Sequence, residues 1–275
     1  MAKLEQEPKQ TEAHQKYMWD CLRKSLNGIV NKVNTSNIQH IVMELFNENL
    51  MRGKGLLIKA LCKAQAQSPT FTHVYAALVC AINSKLPDIG ELLLHRTVAQ
   101  FLKGFRRNSK LVCKQSLSFI AHLVNQQVVH ELIALQLLSL FLTKPTGDSI
   151  ELACDFLQQC GQCLQEVTQA GCDAIFTRFR QILQEGQISK RVQYVVEKLF
   201  QVRKDKFKDF PGIVPELDFV EEGDKITHNL ALDDELDCME ALNNFKYDPD
   251  FEQRDAEWDE IRKEIVGDYF DQICL

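Results

Sequence analysis

The sequence predicts an all-α chain: five antiparallel helix pairs stacked into an α-α superhelix, followed by an acidic, partly helical extension. Three observations predict it. Apolar residues recur at helical spacing: Ile38, Ile41, Val42, Leu45 and Phe46 fall at i, i+3, i+4, i+7 and i+8, and Val192, Val195, Val196, Leu199 and Phe200 repeat the arrangement. The helical stretches form units of about 35 to 45 residues, the length of helical repeats. No segment of the body carries the two-residue alternation of a strand. A compact ten-helix bundle is the structural alternative.

The elements follow from their ends. Residues 1–11 are polar and expected to be disordered, which also argues against a signal peptide. Thr11 opens a helix to about Asn34; Gly28 inside it costs about 1 kcal/mol against Ala, so it marks either a packing site or a contact site. Thr35 or Ser36 is expected to cap the Ile38 stripe. A third helix spans Met51–Ala66, and Pro69 restarts the chain for a fourth from Phe71 to Asn83. Further helices are expected over Ile89–Arg107, from Ser109 to Asn125 and over Glu131–Leu142. The last is the most apolar and should be buried on more than one side. Asp148 is expected to cap Ser149–Glu166. Gly171 or Cys172 begins a helix to Gln184 that Gly186 ends, and Ser189 caps the last body helix.

After Lys208 the texture changes. Phe210-Pro211-Gly212-Ile213-Val214-Pro215 cannot be helical, and Leu217, Phe219 and Val220 suit an extended strip. Leu232–Phe245 and Phe251–Val266 read as two short acidic helices, the second with a Trp258, Ile261, Ile265 stripe. The expected domains are therefore 12–208, the helical scaffold, and 209–275, the extension. From Glu216 onward there are 20 acidic and 5 basic residues, a net of −15, which leaves the rest of the chain at +9. A basic body suits nucleic acid or an acidic protein face, while an acidic tail can simply solvate itself or fold back. No apolar run reaches the ~18 residues of a membrane span. Of the ten cysteines, most sit at apolar helical positions, which fits free thiols in a reducing compartment.

No catalytic set is evident. Gly53-Lys54-Gly55 lacks the spacing of a phosphate-binding loop, and the seven histidines are scattered. Cys160-Gly161-Gln162-Cys163 is a CxxC, but it falls on a helix whose apolar stripe already accounts for its cysteines, so no metal or cofactor is expected. Arg106, Arg107 and Lys110 form one basic cluster and Arg203, Lys204, Lys206 and Lys208 another. Both could neutralise phosphate, but no regular interleaving of aromatic residues supports strand stacking, so a solvated basic face is the plainer reading. The first cluster stands as the candidate contact for RNA or a second partner.

Several of these stretches resemble a known family. Val30-Asn31-Lys32-Val33 with Asn34-Thr35 resembles the Leu-Asn-Lys-Leu-Thr signature that opens the middle domain of eukaryotic initiation factor 4G, with Val for Leu and Asn34-Thr35 for a plain Thr. Lys63-Ala64, Pro69, Phe71, Tyr75 and Ala76 are similar to its second repeat, and Ile188-Ser189-Lys190-Arg191-Val192 to its closing helix. The resemblance covers about Thr11 to Lys204 and implies five HEAT-type repeats. It also implies binding of a DEAD-box RNA helicase. Within the family the chain is most similar to the spliceosomal member, through Gly28-Ile29-Val30-Asn31-Lys32 and the acidic extension. That implies a non-catalytic scaffold in the nucleus, in nucleoplasm and speckles, whose partners are the helicase of the exon junction complex and other spliceosome components. The residues implied are Gly28, Asn31 and Lys32, with Asn27 and Asn34 beside them. Their chemistry suits docking independently: Gly28 is a flat spot, Asn31 both donates and accepts, and Lys32 offers a charge. An RNA-binding or translation-initiation scaffold is the alternative function.

Overall fold

The structure is a computed structural model that describes residues 11–273, with side chains through residue 267. The expected disordered start lies outside the described residues, apart from Thr11. The chain is all-α as expected. Helices and short 3-10 turns account for its regular structure, and among the described residues the one β-type contact is an isolated parallel bridge between Val129 and His228. It divides into two compact units, one built from the residues up to Gln67 together with those from Met239 onward, the other from Ser68–Cys238.

The first unit holds α1 (Glu12–Lys32), α2 (Ile38–Phe46), α3 (Leu50–Gln67), a 3-10 turn (Glu240–Asn243) and a long C-terminal helix (Phe251–Ile273). Thr11 caps α1 by accepting from the His14 N–H, as its position predicts. One stripe of α1 is buried: Trp19, Leu22, Leu26, Ile29 and Val30, packed against α2 and α3. The turn into α2 differs from expectation, because neither Thr35 nor Ser36 caps it. Asn37 holds the cap position, and two asparagines clasp the turn. Asn34 Oδ1 accepts from the Ser36 and Asn37 N–H groups at 2.9 and 3.1 Å, and Asn37 Oδ1 accepts from the Asn34 N–H at 2.8 Å. Asparagine does this better than threonine because its carbonyl reaches two residues onward in an Asx turn.

The acidic extension closes this unit. Gln15 is buried, and its side-chain amide both donates to the Asp248 carbonyl at 2.8 Å and accepts from the Asp248 N–H at 2.9 Å. Phe245 meets Trp19 edge-on, with ring centroids 6.3 Å apart. Arg52 lies 3.8 Å over the Phe251 ring and pairs with Asp255 at 3.1 Å. Trp258 and Ile265 are buried, so the predicted stripe faces inward, and its helix contacts α2. The 3-10 turn seats on α3 at Gly55, where a Cβ would stand 2.3 Å from the Leu242 carbonyl oxygen.

The second unit contains α4 (Thr72–Lys85), α5 (Pro87–Arg106), α6 (Lys110–Asn125), α7 (Leu132–Thr143), α8 (Gly147–Val167), α9 (Gln169–Glu185) and α10 (Lys190–Lys204). Neighbouring helices pack together, and α8 touches α6, α7, α9 and α10. Three ends match the sequence reading: Ser109 at the start of α6, Ser189 accepting from the Val192 N–H, and Gly186 in the left-handed region at φ +66°. Asp148 does not cap α8. Thr146 does, in a capping box with Ser149, which leaves Asp148 one residue inside, free to pair with a cation. Helix α7 is less enclosed than its composition suggests. Leu132 is 50% exposed and Leu140 37%, because only its Ile133, Ala134, Leu137, Leu138, Phe141 and Leu142 side is covered.

Of the two short helices expected in the extension, only the second forms, and it is longer than expected. Over 232–245 the structure has just the 3-10 turn at Glu240–Asn243. Several backbone groups ahead of it are tied to side chains rather than to a helical ladder. The Leu232 N–H donates to Gln136 Oε1 at 2.9 Å, Arg96 Nε donates to the Cys238 carbonyl at 2.8 Å, and Asp234 turns back on the Ala231 N–H. A segment rich in Asp gains more from these partners than from helix. Upstream, the strip lies along the unit with Leu217 and Leu230 buried, while Phe219 and Val220 are half-buried. Lys225, whose side chain is only 5% exposed, pairs with Asp218 and Glu222.

Candidate functional site

The residues singled out by sequence sit at the C-terminal end of α1 and its turn. The apolar letters of the motif belong to the core: Ile29, Val30 and Val33 are all buried. Its polar letters face out. Asn27, Gly28, Asn31 and Lys32 are exposed, and Asn34 is half-buried. The helical period explains the split, since Asn27, Gly28 and Asn31 fall at i, i+1 and i+4 opposite the buried stripe. Lys24, one turn earlier, is exposed on the same face. It was missed by sequence reasoning, although its spacing of three and four residues from Asn27 and Gly28 would have found it.

The individual side chains differ in how free they are. Beyond its own helix backbone and chain neighbours, no atom comes within 4 Å of where a Cβ on Gly28 would stand, so this glycine serves no internal packing. Asn31 makes no side-chain hydrogen bond among the described residues, and both its amide and its carbonyl are available. Asn27 Nδ2 donates to the Arg23 carbonyl one turn back at 2.6 Å. Asn34 is committed to the turn, through its bonds to Ser36 and Asn37. Lys32 pairs with Glu44 of α2 at 2.6 Å, and its carbonyl accepts from Asn37 Nδ2 at 2.9 Å. An exposed pair of this kind is worth about 0–1 kcal/mol, so Glu44 orients the ammonium without locking it. The arrangement offers a bare backbone patch, a two-way amide and an aimed cation side by side.

The second candidate cluster does not stay together chemically. Arg106 and Arg107 end α5, exposed and without an ion pair among the described residues. Lys110 begins α6 and donates to Asp148 Oδ1 at 2.6 Å and Glu151 Oε2 at 2.5 Å; these bonds push its pKa above the usual lysine value. It belongs to a ladder between α6 and α8, where Lys114 pairs with Asp155 at 2.7 Å, while Arg191 of α10 joins Glu151 from the other side. Lys110 is thus engaged by carboxylates of α8, while Arg106 and Arg107 are not.

The CxxC is part of the packing. Cys160 is fully buried and burial raises its thiol pKa; Cys163 is pushed up to about 11 and Cys154 to about 12, first by burial and then by nearby carboxylates. Gly161 between them receives the Phe207 ring: a Cβ there would lie 2.3 Å from Phe207 Cε1.

Comparison with known proteins agrees with the resemblance carried by these motifs. Residues 23–206 match the MIF4G domain. The chain is 53% identical over 256 residues to the pre-mRNA-splicing factor CWC22 of Pyricularia oryzae, spanning 93% of this chain and 28% of that protein. It is 52% identical over 260 residues to the pre-mRNA-splicing factor CWC22 homolog of Xenopus laevis, covering 94% and 32% of the two chains. It is 51% identical over 258 residues to cwf22 of Schizosaccharomyces pombe, covering 94% and 29%. The chain thus spans roughly a third or less of the length of these relatives. The expected similarity to the spliceosomal member, nucampholin, is found across nearly all of it. With the asparagine-clasped turn, the buried Val30 and Val33 and the outward Asn31 and Lys32 all inside or beside the matched span, the chain belongs to the MIF4G domain family.

Proposed function

We propose that the chain is a non-catalytic scaffold of pre-mRNA splicing that grips a DEAD-box RNA helicase, that of the exon junction complex, through the exposed end of α1. It works in the nucleus, including speckles, and hands the helicase to other spliceosome components. The relatives named as splicing factors support the setting. The observation that carries the docking surface is Gly28: an exposed mid-helix glycine, costly to helix stability and unused by internal packing, is explained by a partner that approaches the bare backbone. Asn31 then bonds the partner's backbone or side chains, and Lys32 exchanges Glu44 for a partner carboxylate at little cost, since both contacts are solvent-exposed.

A helicase of this class closes two lobes around ATP and RNA. A scaffold that holds the lobes apart must bind the open form more tightly than the closed one, because equal affinity for both shifts nothing. Binding of this chain and binding of RNA with an ATP analogue are then mutually exclusive. The test is co-precipitation with Gly28→Tyr and with the double change Asn31→Asp, Lys32→Glu. Open space around Gly28 lets tyrosine enter without disturbing the core, and tyrosine is the better helix former, so any loss of binding is not a loss of fold. Lys32→Glu also places a carboxylate opposite Glu44. Both variants are expected to lose the helicase with helical circular dichroism unchanged. Retention by both would remove this surface from the role, and a helicase–RNA–ATP-analogue complex that still binds the chain at full affinity would remove the open-lobe mechanism.

A further inference from the structure

The second basic cluster, at the end of α10, lines a groove that the docking surface on α1 does not use. Asp173, Thr177 and Arg180 come from one face of α9, at i, i+4 and i+7, and Phe200, Arg203 and Lys204 from α10; together they line an open groove of about 410 Å³. That volume is in the range of ligand sites, which run from about 300 to 1,000 Å³. The single acid of the groove is spent internally, because Asp173 pairs with Arg203, which also donates to Gln165 Oε1 at 3.2 Å and lies 4.2 Å over the Phe176 ring. Arg180 and Lys204 have no ion pair among the described residues and are exposed. Between them stands Phe200, half-buried, its ring 5.4 Å from that of Phe176 and 5.6 Å from the Arg180 guanidinium carbon.

Phe207, the aromatic residue between Lys206 and Lys208, is buried, and the fold brings a different ring to the cations. Phe200 lies one turn before Lys204 on α10, and Arg180 reaches it from α9.

We infer that this groove binds single-stranded RNA, with one base stacked against Phe200 and the Arg180 guanidinium and the adjoining phosphates held by Arg180 and Lys204. An acidic peptide would use the two cations alone. The half-buried ring beside a flat guanidinium adds a stacking surface suited to a base of any identity. Duplex bases cannot reach such a surface, so the strand must be single.

The experiment is fluorescence anisotropy of a labelled oligouridine with the full chain, no helicase present, over a series of salt concentrations. The double change Arg180→Gln, Lys204→Gln is expected to weaken binding at least tenfold and to flatten the salt slope by about 1.4, the share of two phosphate contacts on a single strand. Phe200→Leu keeps an apolar side chain against Phe176 and is expected to weaken binding about tenfold with the slope unchanged, the signature of lost stacking. Arg106→Gln with Arg107→Gln is expected to change little. The inference is overturned if the parent chain does not bind oligouridine, or if polyglutamate of equal length competes as well as RNA does. It is also overturned if the Arg106 and Arg107 changes abolish binding while the groove variants retain it. The glutamine changes are at exposed positions and leave the fold intact, so a poorly folded Phe200→Leu chain would not protect the inference. Because the assay contains no helicase, its outcome is independent of the role proposed for α1.

Discussion

Gly161→Ala separates two forces of opposite sign. In an unobstructed helix the change would stabilise α8 by about 1 kcal/mol, through propensity alone. Here the new methyl would sit 2.3 and 2.4 Å from Phe207 Cε1 and Cζ. Phe207 is 1% exposed, so its ring has no solvent to retreat into. Its backbone cannot yield easily either, since it holds φ +55° and its N–H donates to the Val202 carbonyl at 2.9 Å. Overpacking of this kind costs about 1–3 kcal/mol, so after the helical gain the expected net loss is about 0–2 kcal/mol. Urea denaturation followed by circular dichroism measures it. Phe207→Leu, which shortens the intruding ring, should recover at least ~1 kcal/mol in the double variant relative to additivity. A stabilising Gly161→Ala, or two strictly additive changes, would refute the account of the CxxC segment as a packing notch.

Four further outcomes follow from the same geometry. Gly55→Ala should lift the 3-10 turn at Glu240–Asn243 off α3, raising amide exchange over 239–245 at least tenfold while α1–α3 stay protected; unchanged exchange would contradict the close approach at Leu242. Burial, reinforced by nearby His73, lowers the His122 pKa from 6.5 to about 4. The unfolded chain therefore binds the proton first, and about 2–3 kcal/mol of stability present above pH 6.5 should drain away as the pH falls towards 4. His122→Gln should flatten that slope in urea midpoints taken across the window. Lys206→Gly should raise stability by about 0.5–1 kcal/mol, since Lys206 holds φ +55°, a conformation glycine adopts freely; thermal melting reads the sign.

Elements were legible where one residue acts on its own neighbours. Thr11, Ser189 and Gly186 each end or begin a helix by chemistry contained within three positions. Ends shared between two side chains were misread: Thr146 with Ser149, and Asn34 with Asn37, each divide a task that was assigned to a single residue nearby. The helix expected over 232–245 failed for a related reason, because its partners, Arg96 and Gln136, lie about a hundred or more positions away and no local pattern announces them. At the candidate site, the helical period separates outward Asn27, Gly28 and Asn31 from inward Ile29 and Val30, so which face is presented was readable. That Lys32 is aimed by Glu44 was not, since the pairing depends on how the Asn34–Asn37 turn brings α2 back beside α1. The capture of Lys110 by two carboxylates of α8 was hidden in the same way.

The first unit is assembled from both ends of the described chain, with Gln15 clasping Asp248 and Arg52 seated on Phe251. A ribosome therefore delivers all of Ser68–Cys238 before the pieces that finish α1–α3 have been made. Trp19 and its neighbours wait without that cover while residues 68–238 are made, and a chaperone or a premature partner has that interval in which to find them. Cutting the gene after the tenth helix, where composition changes most sharply, would yield a protein whose leading segment never receives its cover.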